Sequence, residues 1–498
     1  MATKTKPKSK PKPKATAKAK AKAKPRARAA SAGSPDLRVR MYRVGFGDFF
    51  LLTLNPDHDP QHILIDCGVT PGKTKKGDIG TIKSAARQMA KDTGGKLALI
   101  IVTHRHQDHI IGFSRCADTF SAFENKVGAI WMSAWEAEYD QNATAFQAEL
   151  TALAADMQMH FALAAGADPE AAELQAMLLN ATGEDAGGAE PEKEGKGGGT
   201  NKKSLEMLKS GFGVKPDYYK HGDKPKLPKA LEQAGLEAEI LGPPPVDALD
   251  FMKLMDLKKG VGQYLGADGG GSSSGGKIFD PFGPAWHAAA KDYPPTAFRE
   301  WEPRLKDVPA AMPPSDKLEA TVKAAQPKLL LTAVTSLDAF LNNQSLVVLF
   351  TFNGKKLLFA GDAQGGNWEY WMFGGTPTKT PSIDDLSADG KKILGSLDFY
   401  KVGHHGSTNA TPVTAVDAMG GTFVSMCSTQ DDSFGSVANA SEVPRIPLLE
   451  ALEKKSPVLR SDQFPVTVKG AEVEAIAGSP AKPPKGFKVG PIYVDYFL

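Results

Sequence analysis

Thr103-His104-Arg105-His106-Gln107-Asp108-His109 decides how this chain is read. It follows Leu97-Ala98-Leu99-Ile100-Ile101-Val102, an apolar run rich in branched side chains that reads as a buried strand. Three His and one Asp fall in the order HxHxDH at the end of that strand. Imidazole nitrogens and carboxylate oxygens at this density suit Zn, Mn or Fe, and no Cys stands beside them to indicate a thiolate site.

Two later strand ends carry the same kind of residue. One is Phe359-Ala360-Gly361-Asp362, the other Lys401-Val402-Gly403-His404-His405-Gly406-Ser407. Asn353-Gly354 separates two apolar runs and predicts a hairpin that delivers Asp362, because a tight turn needs two residues with positive φ. Five of the ten His lie in the HxHxDH and HHG motifs. The others have plainer readings: His58 and His62 in or beside a turn, His160 in an apolar helix, His221 and His287 in polar loops or at their edges.

Together these motifs resemble the metallo-β-lactamase superfamily of hydrolases, most of all the soluble nuclease-like domain of the ComEC competence proteins. Val44-Gly45-Phe46-Gly47-Asp48, Leu64-Ile65-Asp66-Cys67-Gly68, Asn342-Asn343-Gln344-Ser345-Leu346 and the VGHHGS run carry the likeness. It covers roughly residues 37–113 and 330–470. The resemblance implies an α/β fold, a four-layer αββα sandwich with its ligands on loops at one edge.

It also implies two divalent ions, Zn or Mn. His104 and His106 would hold one, Asp108 and His109 the other, and Asp362 would bridge them. One of His404 and His405 would complete the second site, with His404 favoured because it comes first after the strand. Asp66 would support the metal loop by hydrogen bonding. Many members place a further His on the first metal. Here the equivalent strand end reads Trp131-Met132-Ser133-Ala134-Trp135-Glu136, so Glu136 or a water would stand in.

The implied nucleophile is a hydroxide held by the ions, with Asp108 and Asp362 indispensable. Fold alone does not choose among phosphodiesters, lactones, thioesters and β-lactams. The ComEC-like motifs and a cationic tail favour a phosphodiesterase or nuclease. The alternatives are a small-molecule hydrolase such as a lactonase, and a nucleic-acid-binding or scaffold protein with a structural metal. Ser407 and Thr408 are placed to contact a phosphate, or to cap the turn.

The 498 residues allow a sizeable core. Residues 1–35 form a Lys/Pro/Ala-rich segment with ten Lys and two Arg, expected to be disordered. Subtracting those twelve charges from the net +3 leaves a body near −9, so the basic character is concentrated in the tail. That tail reads as an arm for nucleic acid or another polyanion, or as a solubilising leader. The expected domain spans 36–478, with its core at 37–113 and 330–470, a helical and loop insertion at 114–330, and an extension at 479–498. Residues 142–183 read as largely helical, with Met157, Met159 and Met177 as packing residues. Residues 186–203 read as a linker and 266–276 as a Gly/Ser loop. Three scattered Cys, no leader and no spanning apolar run point to a cytoplasmic protein.

Overall fold

The computed structural model describes residues 36–70, 81–162, 178, 201–252, 340–376, 382–431, 433–435, 437, 442–464, 466–468, 471–473 and 483–498. Residues 1–35, 186–200 and 266–276, with Met177 and His287, lie outside them, as do the side chains of Met157, Met159 and His160. The protein is mixed α/β, with two large mixed sheets.

The first sheet starts as an antiparallel meander of β1 (Leu37–Tyr42), β2 (Phe50–Leu54) and β3 (Gln61–Ile65). Helix α1 (Ile82–Thr93) then carries the chain over to β4 (Leu99–Ile101), which runs parallel to β3. Thr81 caps α1 by accepting from the Ser84 amide, and Gly94 ends it in the left-handed conformation. Helix α2 (Gln107–Arg115) follows, and the parallel order continues through β5 (Ile130–Ser133) and β6 (Pro216–Tyr219).

The second sheet has six strands. β7 (Glu237–Gly242), β8 (Val347–Phe352) and β9 (Lys355–Phe359) are antiparallel neighbours. The turn between β8 and β9 has Asn353 at φ 48° and Gly354 at φ 79°, as the Asn-Gly pair predicts. β10 (Phe399–Lys401), β11 (Val424–Cys427) and β12 (Val458–Arg460) add in parallel. A small pair, β13 (Val466–Val468) and β14 (Ala471–Val473), follows. Finally β15 (Phe487–Val489) and β16 (Tyr493–Phe497) return to the first sheet beside β1.

Strand alternation sets the packing, because successive side chains point to opposite faces. Phe50, Leu52, Ile63, Ile65, Leu99 and Ile101 of the first sheet share one core with Val348, Phe350, Leu357, Phe359 and Met426 of the second. Their neighbours Leu51, Leu64 and Ile100 turn the other way, onto Ala85, Ala86 and Met89 of α1. In the second sheet Leu349, Leu358 and Tyr400 face Trp368, Leu394 and Leu448. Each large side chain so buried contributes about 1.5–3 kcal/mol before entropy is counted.

Three sequence expectations change. The stretch 114–330, read as an insertion, supplies β5 and β6 to the first sheet and β7 to the second. The stretch 479–498, read as an extension, supplies two strands of the first sheet. Arg40 explains this: buried in β1, it donates to both Asp495 oxygens, at 2.6 and 2.7 Å, and lies over the Tyr493 ring. That partner is 455 positions away, and no local pattern announces it. Third, residues 201–203 belong to the helix Asn201–Ser210 and not to a linker. His62, read as in or beside a turn, is the second residue of β3 and is buried beside Thr53. No helix among the described residues is long and apolar enough to cross a membrane.

Candidate metal centre

The candidate residues sit just beyond the carboxyl ends of parallel strands, where open α/β sheets place their ligands. Asp66 follows β3, the HxHxDH loop follows β4, Asp362 follows β9, His404 and His405 follow β10, and Ser428 follows β11. Backbone hydrogen bonds stitch these loops together. The Asp48 amide donates to the Asp108 carbonyl at 2.8 Å, the Cys67 amide to the His109 carbonyl at 2.7 Å, and the Gly68 amide to the Asp48 carbonyl at 2.9 Å. Gly68 has no room for a side chain: a Cβ there would fall 2.1 Å from the Asp108 backbone. The VGFGD and LIDCG stretches therefore form the clamp behind the HxHxDH loop.

Four side chains converge. Asp108, His109, Asp362 and His405 present one ligand atom each, all within 4.8 Å of one another. His405 Nε2 lies 3.0 Å from Asp108 Oδ2 and 3.6 Å from Asp362 Oδ2. His109 Nε2 lies 3.0 Å from Asp362 Oδ2 but out of hydrogen-bond alignment, so both buried atoms lack a hydrogen-bond partner. His104 Nε2 is likewise buried without one. Buried polar atoms are normally satisfied. His405 and Asp108 are hydrogen-bonded, but His109 Nε2 and both Asp362 oxygens converge beside them with no hydrogen bond, and such a set fits a cation held between them.

The imidazoles are held from behind. His109 Nδ1 meets Asp66 Oδ2 at 2.8 Å, and Asp66 in turn accepts from the Thr103 amide and hydroxyl. His405 Nδ1 donates to the Ser428 carbonyl at 2.7 Å. His104 Nδ1 has Thr103 Oγ1 at 3.2 Å and Ser345 Oγ at 3.3 Å. His404 Nδ1 lies 2.7 Å from Ser407 Oγ. With Nδ1 occupied, Nε2 is the atom each ring turns inward, the arrangement typical of metal-binding His.

The electrostatics favour positive charge. Burial opposes a charged His109, but Asp362, Asp66 and Asp108 overcome it and raise its pKa well above the ordinary value. His405 is raised the same way, against burial, by Asp362 and Asp48. Burial alone would raise the Asp108 carboxyl, yet His109 and His405 hold it at about 2. His104 differs: burial, then His109 and His106, push it well below the usual range. A site that stabilises protons on two imidazoles will also stabilise a metal cation, at the cost of releasing those protons.

The placement differs from expectation at two residues. His405, not His404, joins the compact group; His404 Nε2 stands 3.9 Å from Asp362 Oδ2 with its side chain 21 % exposed. Two consecutive left-handed residues, His404 at φ 43° and His405 at φ 52°, turn the second ring into the site. Such conformations cost energy in non-glycine residues and occur where the surroundings enforce them. Glu136, expected as one stand-in for a further ligand, lies outside the compact group. Both its oxygens accept from Arg105, at 2.6 Å each. His104 and His106 pack ring to ring, 4.5 Å between centroids, outside the compact group. Ser407 is committed to His404 and Asn409.

Five residues that matter here were not singled out from sequence: Asp48, Thr103, Ser345, Lys401 and Ser428. Ser345 receives the Asp362 amide at 3.0 Å. Asp48 and Lys401 form a buried ion pair. Both stand inside or beside quoted motifs, and a Lys within the apolar run before VGHHGS was a usable signal. No protein-family model matches the chain, and no curated protein is significantly similar to it.

Proposed function

We propose that this protein is a metal-dependent hydrolase of the metallo-β-lactamase type, acting on phosphodiesters. The observation that carries the reading is the convergence of Asp108, His109, Asp362 and His405, each imidazole held from behind. The alternating cores, one between the sheets and one on the outer face of each, support the four-layer αββα architecture. The HxHxDH, Gly-Asp and HHGS motifs support the family, with ComEC-like domains as the branch.

The ions would be Zn or Mn. Asp108, His109, Asp362 and His405 would make the tighter position, and His104 and His106 the weaker one beside it. A divalent ion supplies Lewis-acid polarisation of the scissile group and lowers the pKa of water. The chain's own residues do the rest. Asp66 fixes the His109 ring, the Ser428 carbonyl fixes His405, and Ser345 fixes the loop that carries Asp362. Asp108, at 14 % exposure, and His404 mark the open side through which substrate enters. The phosphodiester assignment draws on the ComEC-like motifs and on the basic residues 1–35, which would bind nucleic acid or another polyanion.

The test is the purified full chain, with and without added Mn or Zn, on single-stranded DNA, duplex DNA, RNA and a chromogenic phosphodiester. Metal-dependent cleavage of at least one, abolished in Asp108→Ala, supports the reading. Metal binding without cleavage of any of the four, together with lactone hydrolysis, would move it to the small-molecule class.

A further inference from the structure

Lys401 is a cation buried among the ligands, and the chemistry described above does not use it. It ends β10 at 2 % exposure, and its Nζ pairs with Asp48. The same Nζ donates to the Gly361 carbonyl at 3.1 Å and lies 3.5 Å from Asp362 Oδ1. Asp48 completes the contact from the other side, with Oδ1 3.6 Å from His405 Nδ1 and Oδ2 3.8 Å from His109 Nδ1. The pair thus touches three of the four converging residues.

The Asp362 carboxylate is divided as a result. Oδ1 faces the ammonium, while Oδ2 faces His109, His405 and His404, at 3.0, 3.6 and 3.9 Å. Burying a Lys–Asp pair rarely improves stability over apolar residues of the same size. Its presence directly behind a ligand calls for another role.

We propose that Lys401 and Asp48 are positioning residues that confine Asp362 to a single ligating oxygen and temper the affinity of the centre for its ion. The proposal rests on the metal-centre reading above. Lys401 holds the main chain of the Gly361-Asp362 turn by a hydrogen bond, and its charge stands 3.5 Å from Oδ1, which favours the rotamer that keeps this oxygen on the ammonium and leaves Oδ2 for the ion. Its charge, only a few ångströms behind the ligand, also repels a dication. Asp48 compensates that charge and keeps the ammonium protonated in the core.

The test is Mn(II) binding by calorimetry to wild type, Lys401→Met, Asp48→Asn and the double variant, with folding checked by circular dichroism. Lys401→Met removes the repelling charge and frees Oδ1, so Mn(II) should bind about tenfold tighter, or more. Asp48→Asn leaves the ammonium uncompensated and should weaken binding by a similar factor. The double variant removes a neutral pair and should return to within a few-fold of wild type. A purely structural role predicts the opposite for Lys401→Met: looser binding in step with lost stability. Unchanged or weaker Mn(II) binding by folded Lys401→Met overturns the proposal. Should that variant fail to fold, more than tenfold loss of affinity in the folded double variant overturns it equally. If wild type binds neither Mn(II) nor Zn(II), the metal centre itself is refuted, an outcome distinct from failure of the positioning role alone.

Discussion

Arg105 and Glu136 hold each other through two parallel hydrogen bonds of 2.6 Å, from Nε to Oε1 and from Nη2 to Oε2. The pair ties the HxHxDH loop to the end of β5 and takes up both carboxylate oxygens. Glu136→Gln should therefore leave Mn(II) or Zn(II) affinity within about threefold of wild type. It should cost roughly 1–3 kcal/mol of stability, since a partly buried guanidinium loses half of its fork. Metal titration alongside urea unfolding separates the two. A large drop in affinity without loss of stability would return Glu136 to the ligand set.

His404 and His405 are neighbours with different duties. His405→Ala removes a converging nitrogen and should lower metal affinity at least about a hundredfold, more than the loss of a supporting partner. His404→Ala removes a partly exposed ring at the rim, 3.9 Å from Asp362, and should lower affinity far less. Isothermal titration of both variants with Zn(II) gives the comparison. Equal losses would show that both rings bind the ion.

His62 should give the protein a measurable acid sensitivity. Burial, reinforced by the charge of Arg38, lowers its pKa to about 4 in the folded state, against about 6.5 unfolded. Between those values the unfolded chain binds the extra proton. The neutral ring's contribution is therefore fully present above pH 6.5 and is lost as pH falls towards 4, up to about 3 kcal/mol in all. Urea unfolding of wild type and His62→Gln at pH 7.5 and 4.5, with chelator present, isolates it. Wild type should lose more stability than the variant over that range; parallel losses would assign the acid sensitivity elsewhere.

The twelve basic residues of the first thirty should set the salt dependence of polyanion binding. Deleting residues 1–33 should weaken DNA binding and flatten its log–log salt slope, by about 0.9 for each phosphate contact removed from duplex DNA. Cleavage of a chromogenic phosphodiester should persist, because the converging ligands all lie beyond residue 100. An unchanged slope would exclude the tail as the nucleic-acid arm.

Much was legible locally. Leu97–Val102 is apolar because β4 is covered on both faces, and Asn353-Gly354 is a turn because its backbone needs two positive φ angles. The candidate ligands could be named because imidazoles and carboxylates crowd the ends of apolar strands. These are matters of period and side-chain chemistry, which a linear string carries.

What the string does not carry is which distant groups meet. Arg105 claims Glu136, and Lys401 claims Asp48 and one oxygen of Asp362. Asp495 draws β16 onto β1 across almost the whole chain. The choice of His405 over His404 depends on two left-handed residues in succession, a local geometry held by tertiary contacts to Gly361 and Ser428. The sequence by itself determined the kinds of atoms available and the strand ends they occupy, because those follow from residue type and periodicity. Only the tertiary structure decided which of them face the same point, because buried charges choose partners by distance and desolvation across loops that neighbour one another only once the sheets have packed.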